Sequence, residues 1–140
     1  MNIIRIMNKK VLMFFGLLAL LFAGCHQESL EERAHREAQE YTRKHCPQDL
    51  GNNVFLDSMV FEKDSRTLIQ YCRISQASDY EEVILQKRAE LDDGMIKATR
   101  QDVAYKRYRD AGCSFRYILR SDSSQKVLYD RIVTKDDYGF

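Results

Sequence analysis

The chain has 140 residues, 44% hydrophobic and 31% charged, with 22 Lys and Arg against 21 Asp and Glu. That length provides for one core, and the mixed-sign charge gives no electrostatic reason to expect a nucleic-acid partner. No glycine-rich phosphate loop, Gly-x-Ser-x-Gly elbow or paired-histidine metal motif is present, so no catalytic, cofactor-binding or metal-binding residues are assigned from motifs.

Residues 11–23 carry no charged or hydrogen-bonding side chain and follow Lys9 and Lys10, the construction of a secretory signal. The run is too short for a permanent membrane span. A start at Met7 gives a more compact leader and the same mature chain. Ala23 and Gly24 before Cys25 resemble the lipobox of bacterial lipoproteins, with Phe22 standing where leucine is usual. The resemblance implies that the leader 1–24 is removed and that Cys25 carries palmitate-type acyl chains on its sulfur and new amino terminus. An ordinary signal peptide, with Cys25 incidental, is the alternative. His26 is not the aspartate that retains many enteric lipoproteins at the inner membrane, so the resemblance favours the outer membrane. Removing Arg5, Lys9 and Lys10 with the leader leaves a net charge of about −2.

Residues 25–28 then form a lipidated tether, and 29–140 a single α+β domain. His26, Gln27 and Glu28 reach about 10–14 Å when extended, which keeps the domain near the membrane. Ser29 and Glu32 have capping-box spacing, and a helix over 30–45 places Leu30, Ala34, Ala38, Tyr41 and His45 on one stripe. Pro47 ends it, and Gly51-Asn52-Asn53 turns the chain. Segments 54–61 and 67–74 are rich in β-branched and aromatic residues and read as a hairpin around Lys63-Asp64-Ser65-Arg66. Ile69 and Tyr71 share one face, and Leu68, Cys72 and Ile74 the other.

Ser78 and Glu81 repeat the capping spacing and open a helical stretch with Tyr80, Ile84, Leu91 and Met95 in register. Asp92-Asp93-Gly94 is expected to weaken it. Thr99 offers a second start, and Gly112 a stop. Cys113, Phe115, Tyr117 and Leu119 alternate with polar or outward neighbours, and 127–133 returns as a second hairpin strand after Ser121-Asp122-Ser123-Ser124. The tail 135–140 is polar and then aromatic.

Tyr41 and Cys46 have the spacing of Tyr108 and Cys113, while Asp64, Ser65, Tyr71, Arg73 and Ile74 match Asp122, Ser123, Tyr129, Arg131 and Ile132. Either a duplication or chance matches within a common unit accounts for this. The order predicts helix-hairpin-helix-hairpin (αββαββ), an antiparallel sheet with helices on one face. Residues 106–118, in which Lys106, Tyr108, Ala111 and Gly112 lead into an aromatic strand, together with Leu56-Asp57-Ser58, resemble small envelope proteins of unknown function. The resemblance implies a fold and no activity.

With Cys25 lipidated, Cys46, Cys72 and Cys113 allow at most one disulfide, by any of three pairings, or three free buried thiols. His35 is one of three histidines, all near the first helix, and His45 reads as a side chain at the edge of a packed stripe. His45 and Cys46 cannot form a nucleophile pair, because adjacent residues diverge on a helix and Pro47 constrains Cys46. Phe115 and Tyr117 read as core, with Arg116 and Arg120 outward. The expectation is a non-enzymatic, lipid-anchored binding or assembly module of the envelope, with the membrane and an envelope protein as partners. Alternatives are an inhibitor of an exported enzyme or toxin, and a small hydrolase with an unrecognised site.

Overall fold

The computed structural model describes residues 27–76 and 80–139. The leader 1–24, Cys25, His26, the capping role expected of Ser78, and Phe140 lie outside the described residues. Helix α1 spans Leu30–His45 as its periodicity predicts. The Ser29 hydroxyl accepts from Glu32 N at 3.1 Å, and the Glu32 carboxylate accepts from Ser29 N at 3.2 Å, so the capping box is formed. Ala34 and Ala38 are buried, and their small side chains let α1 lie close on the sheet. Thr42 fastens the helix further along, its hydroxyl donating to Met59 O and accepting from Met59 N.

Beyond Pro47 the chain forms β1 (Gln48–Gly51), β2 (Val54–Glu62) and β3 (Thr67–Ile74). Strand β1 is an addition to the expected pattern: Gln48, Asp49 and Gly51 pair with β2, with a bulge at Leu50, before Asn52 and Asn53 turn the chain at φ of 52° and 63°. Asparagine enters this left-handed region more readily than most residues. Two short helices follow, α2 (Glu81–Gln86) and α3 (Arg88–Gln101), then a 3₁₀ turn (Val103–Tyr105) and α4 (Lys106–Asp110). Strands β4 (Ser114–Ser121) and β5 (Val127–Val133) and a final helix α5 (Lys135–Tyr138) complete the domain.

The sheet runs in the order β1-β2-β3-β4-β5, and β3 and β4 are parallel, paired from Thr67 with Ser114 to Ile74 with Ser121. An entirely antiparallel αββαββ sheet is therefore corrected to a mixed one. The helical segment after β3 carries the chain back to the end where β3 began, so β4 sets out in the same direction. The helices pack on one face of the sheet, against Phe61, Leu68, Phe115 and Val133. The opposite face bears Ile69, Tyr71, Arg73, Arg116 and Ile118.

Register also bears on the internal repeat. Tyr71 pairs with Ile118 on the uncovered face, whereas Tyr129 pairs with Leu119 on the covered one. The matched residues thus point to opposite sides and do not occupy equivalent environments.

The helical interruption falls at Lys87, whose φ and ψ of −102° and 18° leave the helix, while Asp92-Asp93-Gly94 continues within α3. Asp93 and Gly94 face solvent there, where helical hydrogen bonds persist without tight packing. Thr99 starts nothing. It is buried inside α3 and donates to Met95 O, and Asp102 instead caps the 3₁₀ turn by accepting from Ala104 N at 2.8 Å. Gly112 ends α4 at φ 74°, as expected. The tail docks firmly: Tyr138 is buried and donates to Cys113 O at 2.7 Å.

Candidate functional site

Phe61, Phe115, Val133 and Cys113 are almost wholly buried beneath α1, α4 and α5. Toward the other end of the strands, the same face and the α2–α3 pair diverge and leave a half-enclosed slot of about 420 Å³. Its floor holds Cys72, Ile74 and Leu119, its roof Ile84, Leu91 and Met95, and its mouth Leu50, Asn52 and Tyr80. Strand alternation supplies the floor, since residues two apart share a face. The 3.6-residue periodicity of α2 and α3 supplies the roof.

The polar groups Gln70, Tyr80, Tyr117 and Tyr129 on the walls are engaged with residues just outside the slot. Gln70 donates to the Tyr105 hydroxyl at 2.9 Å, and Tyr129 donates to Asp92 at 2.7 Å. Thr99 gives its proton to Met95 O, so the Tyr117 hydroxyl, 2.7 Å away, is the donor between those two. The Tyr80 hydroxyl accepts from Asn53 at 3.3 Å. Burial pushes the Tyr117 and Tyr105 hydroxyls above the ordinary phenol range. Burial, assisted by the charge of Asp57, raises the Cys72 thiol to about 11, so it lines the floor as a neutral group that reacts slowly near pH 8. The arrangement can bind an apolar moiety, and among the described residues its polar atoms do not converge on a point where a reacting atom would sit.

Cys46, Cys72 and Cys113 are all free thiols. His35 Nδ1 lies 3.0 Å from Phe61 O, and the His45 ring sits 4.7 Å from that of Tyr41, so both histidines serve local packing. Among the described residues, no cluster of three His, Cys, Asp or Glu is placed to hold a metal ion. No helix among them is long and apolar enough to cross a membrane. The slot was not anticipated from sequence, because each lining residue carries an ordinary core signature and only Gln70 and Cys72 weaken the apolar register of β3.

The slot and the start of α1 lie at opposite ends of the sheet. Glu31, in the first turn of α1, pairs with Arg66 at 2.9 Å, next to the β2–β3 turn. The slot mouth flanks Ile74, at the far end of β3. At about 3.3 Å per strand residue, roughly 20 Å separates them.

Three solved structures share this fold. A Pseudomonas aeruginosa protein described as secreted matches at a TM-score of 0.68 and 10% identity, over 82% of this chain and 99% of its own. The type 2 secretion system pilotin EpsS of Vibrio vulnificus matches at 0.61 and 14% identity, over 79% and 93%. The type II secretion system pilotin AspS of Vibrio cholerae matches at 0.54 and 16%, over 77% and 91%. None of the curated proteins matches the sequence. Residues 29–129 match the family described as a domain of unknown function, DUF8479, and the chain belongs to that family.

Proposed function

We propose that the protein is a lipid-anchored, non-catalytic binding or assembly module of the bacterial envelope, placed at the outer membrane. On this reading residues 1–24 are removed, acyl chains on Cys25 hold the membrane, 25–28 form the tether, and 29–140 form the domain that engages an envelope protein. The observation that carries it is the apolar slot, whose wall groups Gln70, Tyr117 and Tyr129 are bonded to Tyr105, Thr99 and Asp92 beside it rather than aimed at a common centre. The fold, held in common with two pilotins of type II secretion systems, supports an accessory role in envelope assembly. Because the mouth lies roughly 20 Å from the start of α1, an anchor at Cys25 leaves the slot open to the aqueous side of the membrane.

Two measurements test this. Cys25→Ser abolishes fatty-acid incorporation and leader cleavage; continued labelling would remove the anchor. Cross-linked capture from native membranes recovers one reproducible protein partner, diminished by changes at Ile84 or Leu119. A protein found alone in repeated captures is not an assembly module.

A further inference from the structure

We propose that the slot receives a single long acyl chain, presented by a lipid monomer distinct from the protein's own anchor. The inference rests on the reading of the slot as the binding site, and it names the chemistry of the occupant. Three features select a hydrocarbon chain. The cavity lies between two layers, with strands beneath and α2–α3 above, rather than along an open surface. At about 10–12 Å across and about 5.4 Å of rise per turn, a peptide helix fills on the order of 500 Å³ in a single turn, more than the gap of about 420 Å³ holds.

An extended peptide fits the gap but brings its amide N–H and carbonyl groups with it. Asn52 offers its amide only at the mouth, and along the interior Gln70, Tyr117 and Tyr129 are already bonded to Tyr105, Thr99 and Asp92, so backbone groups laid on the floor would be buried without partners. A saturated chain has no such groups and meets Ile74, Ile84, Leu91, Met95 and Leu119 with hydrocarbon alone. The volume of about 420 Å³ is also within the range of small-molecule sites.

The protein's own anchor does not fit as the occupant. To lay a whole chain in the slot, Cys25 would have to stand at the mouth, roughly 20 Å from Ser29. The intervening residues reach only about 10–14 Å. Approach from beneath is blocked by the sealed core of Phe61, Phe115 and Tyr108.

The test uses the full chain in expressing cells fed a palmitate analogue bearing a photoactivatable diazirine, followed by mass spectrometry of the cross-linked peptides. Adducts are expected on the segments holding Cys72, Ile84 and Met95, both in the native chain and in Cys25→Ser. Ile84→Glu places a charge in the roof of an exposed helix and is expected to lower those adducts about tenfold or more. Val83→Glu, on the solvent side of the same helix, leaves them unchanged. As a second readout, the unlabelled fatty acid slows alkylation of Cys72 and not of Cys46. Adducts confined to Cys25, adducts that vanish in Cys25→Ser, or a slot signal unaltered by Ile84→Glu would each overturn the inference. If partner capture persists in that case, only the acyl occupant is lost; if capture fails as well, the assembly reading falls with it.

Discussion

The covered face of the sheet has a closely packed half and an open half, made by the same strands. Under α1, α4 and α5 the side chains of Phe61, Phe115, Cys113 and Val133 are shut off from solvent. Under α2 and α3 the equivalent layer is a slot, and α2 contributes no buried residue at all. The difference lies in the helices. Alanines at 34 and 38 bring α1 down onto β2, and Tyr138 closes the end by bonding Cys113 O. By contrast, α2 and α3 are held at their margins by Tyr129 to Asp92, by Arg88 to Asp130 O and by the Lys126–Glu81 pair. A sheet face rich in apolar residues becomes a core or a binding site according to how closely the covering helix approaches.

The strongest way to break this contrast is in the closely packed half. Phe115 lies 5.1 Å from the Tyr105 ring and 5.8 Å from that of Tyr138, so Phe115→Ala is expected to cost about 3–5 kcal/mol, read by urea unfolding. An effect no larger than at the slot would erase the distinction. Next, Tyr138→Phe keeps the ring but strands a buried carbonyl, and about 1–2 kcal/mol should be lost in the same assay. Leu119→Ala in the slot floor enlarges a space that is already open, so about 1 kcal/mol is expected, below the usual range for core leucines. The smallest effect is kinetic. With its thiol raised to about 11 against an ordinary value of about 8.5, Cys72 should alkylate slowly at pH 8 and accelerate only as pH approaches 11. A rate plateau near pH 9 would mean that the floor is wetter than its packing implies.

Much of the fold was legible in the sequence. The capping box at Ser29, the stripe through Ala34 and Ala38, the Gly112 stop and both long hairpins are local features, set by propensity and period. The parallel pairing of β3 with β4 was not, because direction depends on where a helical connection returns the chain and no residue in either strand encodes it. Strand β1 is too short to show a period. Thr99 looked like a helix start because its hydroxyl suits a cap, yet the same hydroxyl also bonds the preceding turn, and burial against Tyr117 selected that role. The slot is not legible for a related reason: Ile84, Leu91 and Met95 announce an apolar helix face, but not how far that face stands from its sheet.

The guanidinium of Arg88 donates to the carbonyl of Asp130 at 3.0 Å while lying 5.4 Å from the Tyr129 ring. Strand β5 is the last in the sheet, and its outer side has no strand beside it among the described residues. Such a border is a template on which a second chain can polymerise. Arg88 occupies one of the acceptors a newcomer would need and lays a charge across its path, so a strand added at that border would first have to displace this side chain. The residue that clips the roof of the slot therefore also takes up an edge acceptor that a neighbouring strand would use.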